Sequence, residues 1–427
     1  MHSGIIFEQS NHCACGMLRF MNAATTIDTD LKSAVPLAED AKVMSLVGLA
    51  HASSHFGHML LPPLFPVFMQ EFGLSFAQVG LLMSVFFVIS GVGQATAGFV
   101  VDKLGARPVL FTALCIFMLA CITASNAQGY PWLIAAAALA GLANSPFHPI
   151  DFSILNQRIS SARLGYAFSV HGLSGSLGWA LTPILLVGLM GFIGWRNAYL
   201  VTAGVYALVL MILLFNRDQL VTTVVRKQDA SEASSLDFMK LPVVWWCFAF
   251  FLLSTITLAV VQSYSASILK AMHGVSLQAA TATLTAYMLA SALGILVGGF
   301  VSARVGAQRS DKVIAVCMSV GALCMMLAGT GWLGAFGSMV LLAATGFAVG
   351  IGGPSRDMMI KRATPKGATG RVYGTVYSGL DVGFAIAPLI FGLLMDRALY
   401  SLTMITSAFA LILAVFAALA VGRRTRA

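Results

Sequence analysis

The stretch GFVVDKLGAR, residues 98–107, places three charged side chains between two long apolar runs. A weaker copy, GFVSARVGAQR, occupies residues 299–309, about two hundred residues later. Three positions keep their character in both copies: Gly98 and Gly299, Lys103 and Arg304, and Gly105 and Gly306. Ala303 stands where the first copy has Asp102. A motif repeated at this distance indicates an internal duplication.

The composition indicates a membrane protein. Apolar residues make up 58% of the 427 residues and charged residues only 10%, whereas about 25% of the residues of a soluble domain are charged. Many apolar runs reach about twenty residues, which lets a helix cross a hydrocarbon core of about 30 Å. Strands of a membrane barrel would instead alternate over segments of about ten residues. We therefore predict an all-α polytopic membrane protein.

The apolar runs predict twelve transmembrane helices, arranged as two six-helix pseudo-repeats. The predicted spans are residues 43–70, 76–101, 107–126, 130–154, 164–190, 195–215, 242–270, 276–302, 312–331, 334–360, 370–394 and 399–421. The segments 163–183 and 371–388 resemble each other as well, because both follow a basic loop, are rich in small residues and end at a proline. This second pair supports the duplication.

The chain is expected to divide at its polar segments. Residues 216–241 are charged and Ser-rich, which is typical of a flexible linker between an N-terminal half, 43–215, and a C-terminal half, 242–421. Residues 1–42 are expected to form a disordered tail, and 422–427 a second short tail.

The distribution of positive charge predicts the orientation. With an even number of spans both termini lie on one side, and most Lys and Arg residues fall in loops of that side. The opposite loops hold only Arg196, Lys270 and Arg397. The positive-inside rule then places both termini in the cytoplasm of a multi-pass protein of a bacterial-type inner (plasma) membrane. The formal charge of +9 is spread over loops, so we expect a lipid-embedded monomer and no nucleic-acid partner.

The loop at residues 98–107 resembles the signature loop of the major facilitator superfamily. The six-plus-six repeat, the central linker and the Gly- and Pro-rich fifth span are similar too. Phe147–Pro149 and Leu60–Pro66 resemble the fosmidomycin-resistance-type branch. The resemblance implies a secondary transporter that moves a small molecule by alternating access. We expect a small organic anion or drug-like compound as substrate, with coupling to protons.

The resemblance also implies a gating role for the repeated loop. Its residues are Gly98, Asp102, Lys103, Gly105 and Arg107. The family places the Asp102 carboxylate against the N-terminus of the eleventh span, where a helix dipole favours negative charge. The alternative is that these charges only anchor a tight turn.

Polar side chains within the spans are the candidates for the substrate and proton pathway, because they are costly in a bilayer and face cavities or partners. The candidates are His51, His55, His58, His148, Asp151, His171, Gln262, Tyr264, Arg356, Asp357 and Asp381. The first three are spaced by four and three residues, so they share one face of a helix. In the resembled branch an acidic residue is expected where His55 stands.

Each candidate also has a structural alternative. A histidine can be a hydrogen-bonded core residue, and His148 and Asp151 can reach the cytoplasmic boundary. Gln262 and Tyr264 can bind substrate or simply pack. The Arg356 guanidinium can attract an anion or pair with an acidic neighbour. Asp381 can bind a proton or pair with a base on the first or tenth span.

Other function classes lack their sequence signals. There is no Gly-x-x-x-x-Gly-Lys motif for a nucleotide and no His-Glu-x-x-His motif for zinc hydrolysis. A metal role for the Cys13-x-Cys15 pair is an alternative, but the sequence around it does not supply a recognised ligand set. We therefore expect no enzyme, no cofactor and no metal site. The remaining alternative is a non-transporting membrane sensor or scaffold on the same fold.

Overall fold

The computed structural model describes residues 36–160, 163–222, 239–364 and 369–426. These ranges contain thirteen α-helices and no strand. The helices are α1 Leu37–His58, α2 Phe65–Phe72, α3 Phe76–Leu104, α4 Ala106–Ser125, α5 Tyr130–Asn144, α6 Phe147–Arg158, α7 Leu164–Phe215, α8 Pro242–His273, α9 Leu277–Val305, α10 Ser310–Thr330, α11 Gly334–Ala363, α12 Thr369–Asp396 and α13 Tyr400–Arg426.

The helices supply the twelve predicted spans. Ten segments are long and apolar enough to cross a membrane, with α5 and α6 together forming one of them. The longest, Tyr166–Phe215, is interrupted by the non-helical Gly194 (φ 78°, ψ 158°) and therefore supplies two spans. The pair α1 and α2 supplies the remaining one. Its break contains Pro62 and Pro63, which lack the N–H groups that would continue α1.

The first helix begins at Leu37, earlier than the predicted start at residue 43, so residues 37–42 are not part of a disordered tail. The buried Asp40 carboxylate explains the difference. It accepts hydrogen bonds from Ser160 Oγ at 2.5 Å and from Arg163 Nη1 at 2.8 Å. These contacts tie the first turn of α1 to the connection between α6 and α7. Residues 1–35 and 223–238, which the tail and linker predictions concern, lie outside the described residues.

The internal duplication is confirmed by matching local geometry. Both α3 and α9 have 29 residues and begin after a serine N-cap, Ser75 and Ser276, whose side chain accepts a backbone hydrogen bond. Both end at a glycine with positive φ, 82° at Gly105 and 76° at Gly306. Such φ values favour glycine because a Cβ would be strained there. The glycines of the repeated loop therefore follow from the same helix ending in each half.

The two halves pack tightly through α3 and α12. A Cβ added at Gly80 would overlap the carbonyl oxygen of Pro388. The rings of Phe87 and Phe384 stack with centroids 4.3 Å apart, and Ser84 Oγ donates to the carbonyl of Ala385. We call this region, 76–87 against 384–396, the closed end of the α3–α12 interface.

The same helices are less crowded toward the other end of α3. Among the described residues, a Cβ added at Gly98 would meet no atom within 4 Å. The side chains of Phe99 and Leu104 are 71% and 59% exposed. Among the described residues the close contacts of the α3–α12 interface are therefore concentrated at the closed end, and none is formed at Gly98.

Candidate functional site

Six of the predicted pathway residues lie together in the N-terminal half. They come from three helices: His51, His55 and His58 from α1, His148 and Asp151 from α6, and His171 from α7. The histidine rings form a continuous series of contacts, with centroids 4.4 Å apart for His51 and His55 and 4.8 Å apart for His55 and His58. We call these six residues the histidine cluster.

Asp151 contacts two rings of the histidine cluster. Its side chain is fully buried, and its Oδ2 atom lies 2.9 Å from His51 Nδ1 and 3.1 Å from His171 Nε2. The two rings stack on each other with centroids 3.5 Å apart. The Asp151 side chain therefore points into the protein. Its other oxygen, Oδ1, is buried with no hydrogen-bond partner.

His58 has both ring nitrogens engaged. Trp179 Nε1 donates to His58 Nδ1 at 3.2 Å, and His58 Nε2 lies 3.0 Å from the Asn144 side-chain oxygen. The same oxygen accepts from Ser54, and Asn144 Nδ2 donates to Ser90. Because both ring nitrogens of His58 have hydrogen-bond partners, the geometry favours the structural alternative for this residue. The sequence analysis missed Asn144, a lone polar residue at the end of an alanine-rich helix.

His55 and His148 complete the cluster on its other side. His148 Nδ1 lies 2.9 Å from Gln94 Oε1 of α3. His55 Nδ1 is buried and has no hydrogen-bond partner. One ring nitrogen each of His51, His55 and His148 lies within 4.8 Å of the other two, a spacing that could hold a metal ion. The expectation of no metal site overlooked this set because its members belong to two helices that meet only in the fold.

Arg356 lies in the C-terminal half beside a second polar group. Its Nε atom donates to Asp357 Oδ1 at 2.9 Å, and its guanidinium lies 5.1 Å from the ring centre of Phe251. Tyr377 also donates to Asp357 Oδ1, at 3.3 Å. Arg356 thus pairs with its acidic neighbour, and it also lines a cavity of about 70 Å³ with Tyr287.

Asp381 lies where α12 faces α3. A Cβ added at Gly91 of α3 would sit 3.3 Å from Asp381 Cβ. Gly379 and Gly383, on the same helix, pack against the backbone of α8 at Phe248 and Leu252. Within the described part of the chain, Asp381 has no hydrogen-bond or ion-pair partner, so the anticipated pairing with a base on the first or tenth span is not observed.

The two predicted pathway residues of α8 differ in their contacts. The Tyr264 hydroxyl contacts the carbonyl oxygens of Pro388 and Phe76, the latter at 3.1 Å, and so joins the two halves at the closed end. Gln262 is buried, and neither polar atom of its side chain has a hydrogen-bond partner. The contacts of Tyr264 therefore favour the packing alternative for this residue.

The gating loop is described only in part. Gly105 ends α3 with positive φ, Lys103 is exposed and Arg107 is half-buried. The side chain of Asp102 lies outside the described residues, as do those at the start of α12. The contact expected between them stays a prediction.

Two comparisons bear on this arrangement. A bacterial homologue of the human lysosomal transporter Spinster, crystallised in an inward-facing and occupied conformation, has a similar fold, with a TM-score of 0.72 and 14% identity over 90% of this chain and 97% of that one. The fosmidomycin resistance protein of Escherichia coli (strain K12) is 24% identical over 274 residues, which is 62% of this chain and 66% of that protein.

A further relative matches a shorter region. The multidrug resistance protein B homolog of Mycobacterium tuberculosis (strain CDC 1551 / Oshkosh) is 30% identical over 154 residues, 36% of this chain and 28% of that protein. The chain thus spans about two thirds of the first relative and less than a third of the second. The family described as Major Facilitator Superfamily matches residues 47–336 and, a second time, residues 263–427. Matched twice by this family and built from two six-helix halves, the chain belongs to the Major Facilitator Superfamily.

Proposed function

We propose that the chain is a secondary active transporter of a small organic anion or drug-like compound, coupled to protons, and not an enzyme. The observation that carries this proposal is the α3–α12 interface, which is tightly packed around Gly80 and has no close contact at Gly98 among the described residues. In alternating access, each state of the transporter is closed at one end of the interface between the halves and not at the other.

The charge distribution assigns sides to these two ends. The loops near Gly98 carry most of the basic residues, so the positive-inside rule makes that end cytoplasmic. The state described here is then inward-facing, with both termini in the cytoplasm of a bacterial-type inner membrane. The opposite state requires the closed end to separate and the Gly98 end to close.

Arg356 supports an anionic substrate. Its Nε atom donates to Asp357, and its side chain also borders the 70 Å³ cavity. A guanidinium stays charged at any physiological pH and can bind a carboxylate or phosphonate through two parallel hydrogen bonds. The fosmidomycin and multidrug resistance proteins among the relatives favour drug-like compounds of this kind.

Asp381 supports coupling to protons. It is a carboxylate with no hydrogen-bond or ion-pair partner among the described residues, placed against Gly91 of the other half. Closing the Gly98 end would remove water from its surroundings, which is costly for an ionised carboxylate and much less costly for a protonated one. Proton binding at Asp381 would therefore favour the change of state.

Reconstitution tests the proposal against the sensor or scaffold alternative. Purified protein in proteoliposomes is given a pH gradient and a panel of labelled small organic anions, including phosphonates. We expect uptake or release that depends on the gradient, is absent from protein-free liposomes, and persists in the Cys115→Ala variant. Absence of flux for every compound would contradict transport and favour the sensor.

A further inference from the structure

We propose that His51, His55 and His148 form a binding site for a divalent transition-metal cation of the zinc class. One nitrogen of each ring already lies within 4.8 Å of the other two. A zinc ion bound to imidazole at about 2.0–2.1 Å brings tetrahedral ligands to about 3.4 Å from one another. Small rotations of side chains would close this difference. This site does not depend on the proposed transport function.

Two of the three rings have Nδ1 contacts that favour the tautomer with Nε2 free to bind a metal. His51 Nδ1 faces Asp151 Oδ2, and His148 Nδ1 faces Gln94 Oε1, both at 2.9 Å. Each of these oxygens accepts, so the Nδ1 atoms carry the hydrogen and the Nε2 lone pairs stay available. Metal-bound histidines almost always donate their second nitrogen to such a carboxylate or carbonyl.

The third ring, that of His55, has a nitrogen atom without a hydrogen-bond partner. His55 Nδ1 is buried with no hydrogen-bond partner, which costs free energy for a polar atom. His58, one turn further along α1, has partners for both nitrogens. Two histidines of the same helix therefore differ. Both ring nitrogens of His58 are hydrogen-bonded, whereas Nδ1 of His55 is available to bind a metal ion.

Gly175 of α7 leaves room at the site. A Cβ added there would lie 2.8 Å from His55 Nδ1 and 3.0 Å from His51 Nε2, closer than such contacts normally occur. Two of the proposed ligand atoms thus face one point that lacks a side chain. Three protein nitrogens with a free fourth position resemble open zinc sites, in which water or an exchangeable ligand completes the coordination.

The charge of the surroundings favours a cation. Asp151 is fully buried, and its contacts are with histidines. Neutral imidazoles do not balance an ionised carboxylate, whereas a divalent cation bound to His51 Nε2 would. Nitrogen ligands select zinc, cobalt, nickel or copper over magnesium and calcium, which prefer oxygen.

A second set of three, His51, Asp151 and His171, has the same spacing. Its atoms already bond to one another through Asp151 Oδ2. A metal there would have to replace two hydrogen bonds, while a metal at His55 replaces none. We therefore infer that Asp151 orients the His51 ring through its hydrogen bond and does not itself bind the metal.

Equilibrium binding on the purified full-length protein in detergent tests the site without any substrate. Metal is first removed with a chelator, and Zn²⁺ is then titrated by calorimetry, with the bound metal counted by mass spectrometry. The variants are compared in a Cys13→Ser, Cys15→Ser background, so that these thiols contribute nothing. The matched pair is His55→Gln and His58→Gln, which change the same residue type on the same helix.

We expect one Zn²⁺ per chain in the background protein and in His58→Gln, and at least tenfold weaker binding in His55→Gln. Asp151→Asn should weaken binding by about 10- to 100-fold, the usual effect of losing an orienting partner. Added Zn²⁺ should also raise the Tm wherever it binds. If His55→Gln is not monodisperse, His148→Gln serves in its place.

Two results would overturn the site. One is equal Zn²⁺ affinity in the background protein and His55→Gln. The other is loss of binding in His58→Gln as large as that in His55→Gln, which would indicate general damage to the helix. Neither result bears on transport, because no substrate or gradient is present.

Discussion

The carboxylate of Asp396, at the end of α12, accepts hydrogen bonds from the backbone N–H groups at the start of α3, 2.5 Å from Phe76 and 3.0 Å from Ala77. A carboxylate is favoured there by the positive end of the helix dipole. The contact joins the two halves at the closed end. It has the same form as the contact predicted at the other end, where Asp102 near the end of α3 would meet the start of α12. We propose that each carboxylate holds one of two alternating states.

Asp396→Asn should weaken the closed end. The variant keeps the shape of the side chain and loses its charge, which is worth about 0.3–1 kcal/mol at a helix N-terminus. The ratio of molecules in which this end is closed to molecules in which it is open should fall by about two- to fivefold. Spin labels at Gln128 and Trp332, exposed residues of opposite halves, report the distance across this end. The exposed Asp218→Asn is the control and should leave the distribution unchanged, and an unchanged Asp396→Asn distribution would show that the contact is not a lock.

Gly80→Ala should prevent the closed end from forming. The added Cβ would overlap the carbonyl oxygen of Pro388, so α3 and α12 could not approach as closely. We expect loss of the short label distance and a strongly reduced transport rate. Gly204→Ala is the matched control, because a Cβ there meets no atom within 4 Å. Equal transport by the two variants would mean that this close approach is not needed in the cycle.

The division into two halves could be predicted because certain local backbone geometries require particular residue types. Gly105 and Gly306 both adopt φ values near 80°, which side chains with a Cβ rarely take. Ser75 and Ser276 both cap the helix that follows them by accepting a backbone hydrogen bond. Residues fixed by such local requirements recur at the same places in both copies of a duplicated unit.

The histidine cluster could be predicted only in part. Helical spacing places His51 and His55 on one face of α1, and this needs no tertiary information. The contacts of His51 with Asp151 and His171 depend on how α6 and α7 pack around α1, which spacing does not reveal. The partner of Asp396 was missed for the same reason, because Phe76 is 320 residues away in the chain.

Asp102→Asn should impair transport and leave expression and folding largely intact. The carboxylate lies between apolar stretches, and its predicted partner is the N-terminus of α12, which forms only when the Gly98 end closes. We expect a several-fold lower uptake rate in proteoliposomes, with the gel-filtration profile and Tm of the wild type. Asp218→Asn should transport normally. Wild-type turnover by Asp102→Asn would leave only the tight-turn role for this residue.

Asp381→Asn should remove the dependence of transport on the proton gradient. In the wild type, lowering the pH protonates the unpaired carboxylate and removes the cost of enclosing its charge, so the exchange between states should quicken. The asparagine variant is always neutral and of nearly the same shape, so it should change state equally well at high and low pH. It would then carry substrate down its own gradient without responding to an imposed pH difference.

The measurement is counterflow, which needs exchange of states but no net proton movement, compared with gradient-driven uptake in the same vesicles. Asp381→Asn should retain counterflow and lose gradient-driven uptake, whereas Cys115→Ala, changed on the exposed face of α4, should retain both. Loss of counterflow as well would indicate that Asp381 is required for packing against Gly91 or for binding substrate. Retention of gradient-driven uptake with the wild-type pH profile would show that the proton is carried elsewhere, because no ionisable group would remain at this position.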